Sequence, residues 1–303
     1  MIALRAGVLI SCDPAVRGLA VEELKPLLAA AQRLQWLEPG LALVRGDVDF
    51  DAFAAAVERA APIFVRHIAP VECEVPLSAT EADVDTLVGA AAVLAGRIDA
   101  DRSFSVQSRI LGEGRLPYRR VTLNETLSTS LEATTGARME SRAPEQIVSL
   151  LCTPTHGFLG VSRPDQNRST WPGGMHRFKN EEGQISRAEH KLLEAFAVFH
   201  PALPSSGTAL DLGAAPGGWT RVLRARGLNV VAVDPAELHA SLRRDPGVVH
   251  VRKRIQEYAA SGRRFEVIVN DMRMDALESV GIMLASRARL RDGGLALVTL
   301  KLP

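Results

Sequence analysis

Residues 208–300 alternate short apolar runs with helix-forming stretches, and this pattern narrows the possible folds more than any other feature of the chain. The runs at 208–212, 229–233, 248–251, 266–270 and 295–300 read as strands separated by helical segments. Strands that recur after helical crossovers build a parallel, doubly wound sheet, so the fold class is α/β and Rossmann-like. Just upstream, Ser186-Arg187-Ala188-Glu189 has the spacing of a capping box and predicts a helix over 186–199, which Pro201 and Pro204 end.

Where the first of these strands should turn into its helix stands Leu210-Asp211-Leu212-Gly213-Ala214-Ala215-Pro216-Gly217-Gly218-Trp219-Thr220. Glycine lets backbone approach a ligand closely, and a helix start aims amides at an anionic group. A nicotinamide-binding turn would carry Gly-x-Gly-x-x-Gly instead. With Asp211 before Gly213, the string suits the charged amino-acid end of S-adenosyl-L-methionine better than a pyrophosphate. Asp234, at the end of the second strand, is placed to accept hydrogen bonds from the two hydroxyls of a nucleoside ribose; the competing reading is a strand-end turn with Pro235.

The first part of the chain looks different. Residues 6–12, 41–44 and 63–68 read as strands, and 15–32 and 50–60 as helices, making a small α+β unit over 1–77. A second unit over 78–165 has helices at 81–94 and 121–134, a strand at 104–108, and a strand pair at 146–153 and 157–162. Residues 166–185, polar and rich in turn formers, read as a linker before a domain over 186–303. Trp171 and Phe178 sit in this basic stretch, where they either stack on unpaired bases or pack internally.

With 47% apolar residues the chain can bury a large core. Its net charge of +1 conceals a polarity. Residues 1–99 hold 8 basic and 14 acidic side chains, 100–180 hold 11 and 7, and 181–303 hold 17 and 14. The acidic end is therefore a poor polyanion contact, while the other two segments are compatible with one. Arg263-Arg264 and Arg287, Arg289 and Arg291 fit either phosphate contact or a solvated helix face. Cys12, Cys73 and Cys152 are odd in number and widely spaced, which predicts buried thiols and no metal site. His190 reads as solvent-facing. No apolar run approaches the roughly 20 residues of a membrane span, and the N-terminus lacks a signal-like pattern, so a cytoplasmic protein is expected.

The string 210–220 resembles that of the FtsJ-type RNA ribose 2′-O-methyltransferases, and three other segments extend the resemblance. Ser186-Arg187-Ala188-Glu189-His190-Lys191-Leu192-Leu193-Glu194-Ala195-Phe196 is similar to the family's helix with its first catalytic lysine, which falls on Lys191. Val269-Asn270-Asp271-Met272 resembles the fourth-strand tip, placing the catalytic aspartate on Asp271. Thr299-Leu300-Lys301-Leu302-Pro303 resembles the fifth-strand tip, placing a second lysine on Lys301. Within the family the chain looks most like the bacterial enzymes that methylate a cytidine ribose of large-subunit rRNA, in which a ferredoxin-like unit and a THUMP RNA-binding domain precede the methyltransferase.

The resemblance implies S-adenosyl-L-methionine bound by Asp211, Gly213, Ala214, Ala215, Pro216, Gly217, Gly218, Trp219, Asp234 and Asp271. It implies RNA, 23S rRNA or a precursor, as partner, with no metal and no membrane; the oligomeric state stays open. Lys301 is the candidate base and Lys191 lowers its pKa. Taken singly, each lysine reads as a surface charge. The family's fourth catalytic residue, a glutamate on a later strand, has no counterpart before Pro303, so a further C-terminal segment or an incomplete domain is expected. The acidic residue that the family places after the third strand is replaced by Arg252-Lys253-Arg254, leaving the adenine to backbone groups or Gln256. Two rival readings remain: an RNA-binding or assembly protein that keeps the fold without turnover, and a nicotinamide-dependent oxidoreductase.

Overall fold

The computed structural model describes residues 3–112, 116–174, 178, 182–258 and 262–301. It divides into two compact units, Met1–His176 and Arg177–Pro303.

The N-terminal unit is built on a seven-stranded sheet. Its strands are β1 Ala3–Cys12, β2 Arg33–Glu38, β3 Leu41–Arg45, β4 Val65–Pro76, β5 Phe104–Ile110, β6 Gln146–Cys152 and β7 His156–Ser162, and its helices are α1 Arg17–Leu24, α2 Phe50–Ala60, α3 Asp83–Val93 and α4 Arg120–Thr135. The strand order is β2-β3-β1-β4-β7-β6-β5, antiparallel except between β5 and β6.

Alternation along each strand sends neighbouring side chains to opposite faces. Val8 and Ile10 of β1 pack with Phe53 and Val57 of α2, while Leu9 joins Leu41, Ala69, Leu151 and Phe158 in a different cluster. Val148 and Leu150 of β6 pack against Leu87 of α3 and Leu123 and Leu127 of α4. Cys12, Cys73 and Cys152 are buried free thiols, and burial pushes that of Cys152 up to about 12.

Several expectations need correcting here. The helix expected over 15–32 stops at Leu24, and a 3₁₀ turn at Lys25–Leu27 follows, because Pro26 removes an amide and obstructs a continuing helix. Residues beyond it form β2, whose alternation of exposed and half-buried side chains marks an edge strand. The units expected at 1–77 and 78–165 share one continuous sheet, since β4 pairs with β1 through Ile68↔Ile10 and with β7 through Cys73↔Leu159.

The first half of the expected linker belongs to this unit as well. Ser11 Oγ donates to the Gly173 carbonyl (2.7 Å), Gln107 Nε2 to that of Thr170 (2.8 Å), and Arg168 to that of Pro62 (2.8 Å). Trp171 falls in this packed stretch, and the linker residues 175–177 and 179–181 lie outside the described residues.

The C-terminal unit contains α5 Ala188–Phe199, β8 Thr208–Leu212, α6 Gly218–Arg224, β9 Asn229–Val233, α7 Ala240–Arg243, β10 Val248–Val251, β11 Phe265–Asn270, α8 Ala276–Ser286 and β12 Leu290–Val298. Its sheet is parallel throughout, in the order β10-β9-β8-β11-β12. One face buries Ala209, Val230 and Val267 against Leu192 of α5 and Trp219, Val222 and Leu223 of α6. The other buries Leu210, Val231 and Ile268 against Ile282 and Met283 of α8. The expected doubly wound α/β sheet is therefore present, and its strand order reverses between β8 and β11. In open sheets of this kind such a reversal, at the carboxyl ends of the strands, is the place where ligands are held.

Among the described residues, no helix is long and apolar enough to cross a membrane.

Candidate active site at the carboxyl ends of β8 and β11

The glycine turn follows β8 directly. Gly213 has φ +73°, and a Cβ there would lie 2.1 Å from Cγ of Met272. Gly217, with φ +113°, leads into α6, where a Cβ would lie 2.1 Å from Cδ1 of Leu242. Both positions combine a left-handed backbone with close packing, so an L side chain would be strained and would have to displace Met272 or Leu242.

The turn is tied to its neighbours through the backbone. The amides of Gly213 and Ala214 donate to the Val233 carbonyl at 2.9 and 3.3 Å. The Asp234 carboxylate accepts from the amides of Ala215 (3.0 Å) and Ala236 (2.8 Å), one on each oxygen. A carboxylate oxygen has a second lone-pair direction, so both oxygens can still accept from hydroxyls.

Asp211 lies beneath the turn and is only 2% exposed. Its carboxylate accepts from Thr220 Oγ1 at 2.6 Å. Burial, reinforced by the charges of Asp234 and Asp271 and opposed by the Thr220 hydrogen bond, pushes its pKa up to about 7. The Asp234 carboxylate beside the turn repels a pyrophosphate, which speaks against the nicotinamide reading.

The raised pKa has a definite linkage sign. A native state that holds the Asp211 proton more tightly than the unfolded chain gains stability below the ordinary carboxylate value, and loses it as pH rises through about 7. Asp211→Asn is expected to flatten that decline, read as urea midpoints between pH 4 and 8. An unchanged pH profile would show that the carboxyl is not held protonated.

Trp219 takes a different place from the one expected. It is buried in the core, and its indole N–H donates to the Ala188 carbonyl at 2.8 Å, so it anchors α5 to α6. Glu189 completes that anchor. This 1%-exposed carboxylate accepts from the amides of Ile185 (2.6 Å) and Ser186 (3.3 Å) and from the Arg221 guanidinium. The glutamate half of the expected capping box is thus made. The serine half is not, since Ser186 Oγ is buried with no hydrogen-bond partner in the described structure. His190 also departs from expectation: its ring stacks on Phe178 (5.5 Å between centroids) and bonds Gln184 at 2.9 Å.

Fixing α5 in this way brings Lys191 to the tip of β11. Its Nζ donates to Asp271 Oδ1 at 2.9 Å and Oδ2 at 3.0 Å, and Lys301 Nζ donates to the same Oδ1 at 2.7 Å. The three side chains, from residues 80 and 30 positions apart in sequence, form one cluster in which Lys191, Asp271 and Lys301 are 48%, 14% and 30% exposed.

Burial opposes ionisation of Asp271, but the hydrogen bonds and charges of the two lysines outweigh it and hold the carboxyl below its ordinary value. Lys301 is shifted down, first by burial and then by the adjacent Lys191, against the opposing pull of Asp271. An ammonium so placed can shed its proton to leave a neutral amine more readily than a lysine in water.

The basic clusters are engaged locally. The Arg289 guanidinium lies over the Tyr258 ring (5.4 Å), Arg291 pairs with Glu266 (2.7 Å), and Arg252 pairs with Glu237 (2.7 Å). Gln256 sits on a 3₁₀ turn, Ile255–Glu257, beyond β10.

Comparison with known proteins bears on this unit above all. Residues 184–288 match the model of the FtsJ-like methyltransferase family. The chain is 40% identical over 124 residues to Ribosomal RNA large subunit methyltransferase M of Halorhodospira halophila, covering 40% of this chain and 35% of that protein. Against the protein of the same name from Idiomarina loihiensis it is 34% identical over 160 residues, 51% of this chain and 43% of the relative. The matched region thus spans less than half the length of these curated relatives. The crystal structure of TrmN from Thermus thermophilus aligns with a TM-score of 0.43 at 17% identity, covering 96% of this chain and 88% of that one.

Proposed function

We infer, from a chain whose residues 184–288 form an FtsJ-like methyltransferase domain, that it acts in an S-adenosyl-L-methionine-dependent RNA ribose 2′-O-methyltransferase of the cytoplasm, with a cytidine of 23S rRNA or its precursor as substrate. The observation that carries this reading is the joint placement of Lys191, Asp271 and Lys301 beside the glycine turn. In keeping with the family resemblance read from the sequence, we propose that 1–77 and 78–165, joined through one sheet, correspond to ferredoxin-like and THUMP RNA-binding units, and that they present the RNA.

The donor supplies an electrophilic methyl group on a sulfonium. Asp234 is suited to hold its ribose through the two free lone-pair directions, and the backbone from Gly213 to Gly218 lines the approach. The Asp234 carboxylate, which accepts only from neutral amides, supplies negative potential near the sulfonium donor.

A ribose hydroxyl is a weak nucleophile while it keeps its proton. Lys301, desolvated and beside a second ammonium, is the group whose neutral form takes that proton. Lys191 stays in contact with both Asp271 oxygens and orients the hydroxyl, while Asp271 fixes both amines.

Two measurements test this. Labelled donor incubated with deproteinised 23S rRNA should place label on ribose, recovered as a nuclease-resistant 2′-O-methylated dinucleotide. RNA binding without incorporation would favour the non-catalytic reading.

The rate should also climb about tenfold per pH unit until Lys301 is neutral and then level off, with the bend below the ordinary lysine value of about 10.4. Lys191→Ala removes a like charge and should move the bend to higher pH. A bend that stays in place would separate Lys191 from the ionisation of the base.

A further inference from the structure

Side chains along β11 alternate between the two faces of the sheet. Val267 and Val269 pack with α5 and α6, while Ile268 packs with α8. Asn270, the last residue of the strand, takes the Ile268 side and meets Ser279 of α8. The next step delivers Asp271 to the side of α5, where Lys191 meets it.

An amide is an expensive choice at this position. Asn270 is buried in register between Leu212 of β8 and Val298 of β12, on an otherwise apolar face, so its polar atoms must find partners. Both ends do. Oδ1 accepts from the Met272 amide at 2.9 Å, and Nδ2 donates to Oγ of the buried Ser279 at 3.1 Å.

The backbone of the same residue reaches the third strand tip. The Asn270 carbonyl accepts from the Thr299 amide at 2.9 Å, two residues before Lys301, and the Thr299 side chain hydrogen-bonds the Asp271 carboxylate. Asp271 therefore sits in a frame. The residue before it is tied to α8 and to the chain that carries Lys301, and the residue after it is folded back onto Asn270. Packing alone would be served by a leucine, which could hold neither Met272 nor Ser279.

We propose that Asn270 is a positioning residue, which by gripping the Met272 amide and Ser279 together aims the Asp271 carboxylate between Lys191 and Lys301. This role deepens the function inferred above, and its effect on rate depends on that function. The arrangement of the three charges does not.

The groups that face this carboxylate set the sign of the effect. They are Lys191 from α5, Lys301 beyond β12 and, from β8, the buried Asp211, whose ionisation Asp271 opposes; α8 brings the uncharged Ser279. Burial favours the neutral amine of Lys301, and the hydrogen bond to Asp271 is the strongest influence holding its proton, ahead of the repulsion from Lys191. A carboxylate that drifts out of line gives up that hold, so Lys301 should lose its proton at lower pH.

The test follows the Cε resonance of Lys301 in the full chain with isotopically labelled lysine, without RNA, the signal being assigned by its disappearance in Lys301→Arg. Asn270→Ala should move the titration midpoint to lower pH, and Ser279→Ala, which keeps the Met272 bond, should move it less in the same direction. Asn270→Ser should return the midpoint toward that of the parent, because a serine hydroxyl can accept from the amide two residues on. With donor and RNA both saturating, Asn270→Ala should transfer methyl about 10–100-fold more slowly, the scale of a misplaced reacting group, and the serine variant should recover most of the rate.

Should Asn270→Ala fail to fold, Ser279→Ala and Asn270→Ser carry the comparison. A midpoint that stays in place or rises in the folded variants overturns the role and leaves Asn270 a packing residue. An unchanged rate in a chain that does transfer methyl overturns it equally. A midpoint that falls in a chain unable to methylate RNA removes the function inferred above and supports the hold of Asn270 on the three charges.

Discussion

Lys301→Ala is expected to slow methyl transfer to RNA by about 10²–10⁴-fold, the range for loss of a positioned general base, with donor affinity within about twofold of the parent. The lysine touches Asp271 at 2.7 Å and takes no part in the backbone bonds that shape the glycine turn, so its removal leaves that turn intact.

Lys301→Arg sharpens the experiment. A guanidinium keeps the positive charge and the contact with Asp271 but cannot give up its proton near neutral pH. If the role of Lys301 were only to neutralise Asp271, the arginine variant would retain most of the rate. If Lys301 takes the proton, both variants fail together. Single-turnover incorporation of labelled methyl, alongside calorimetric donor binding, distinguishes the two, and an active arginine variant would remove the amine from the chemical step.

The second large effect concerns stability. Glu189→Ala should cost the C-terminal unit about 3–5 kcal/mol, the usual penalty for removing one partner of a buried ion pair. The carboxylate is the buried acceptor for Arg221 and for two backbone amides, so its loss unmoors the start of α5 from α6. Glu189→Gln keeps an acceptor for the amides and should cost less. Urea unfolding followed by the fluorescence of Trp219, which bonds Ala188 at this same junction, reads the loss. Equal stability of the alanine variant would show that packing alone fixes the helix. Because α5 carries Lys191, a loosened junction should also lower the transfer rate.

The strands at 208–212, 229–233 and 248–251 were legible to the residue, since each is a compact β-branched or apolar run bounded by turn residues. The glycine string announced its own geometry, because few sequences tolerate two left-handed positions so close together. Strand β12 runs from Leu290 to Val298 and not over 295–300, because Leu290 already pairs with Phe265 and the chain bulges through Arg291-Asp292-Gly293-Gly294 before pairing resumes at Leu295↔Val267. Pro26 was the available sign that the first helix would break, and the alternation of Leu34 and Trp36 was the sign of β2.

Other features had no local signature. Nothing in 186–189 distinguishes a serine that caps from one left without a partner, because the outcome depends on Arg221 reaching Glu189 from another helix. The indole of Trp219 reads as a ligand contact in a motif and as a core anchor in three dimensions.

The cluster at the tip of β11 is neither sealed nor fully wet. About half of the Lys191 side chain and nearly a third of that of Lys301 meet solvent. An amine in that position can hand its captured hydrogen ion straight to bulk buffer once a methylated product departs. Recycling between turnovers thus calls for no internal relay of hydroxyls or imidazoles, and replacing the medium with heavy water should affect the step that makes the bond more than the step that resets the enzyme.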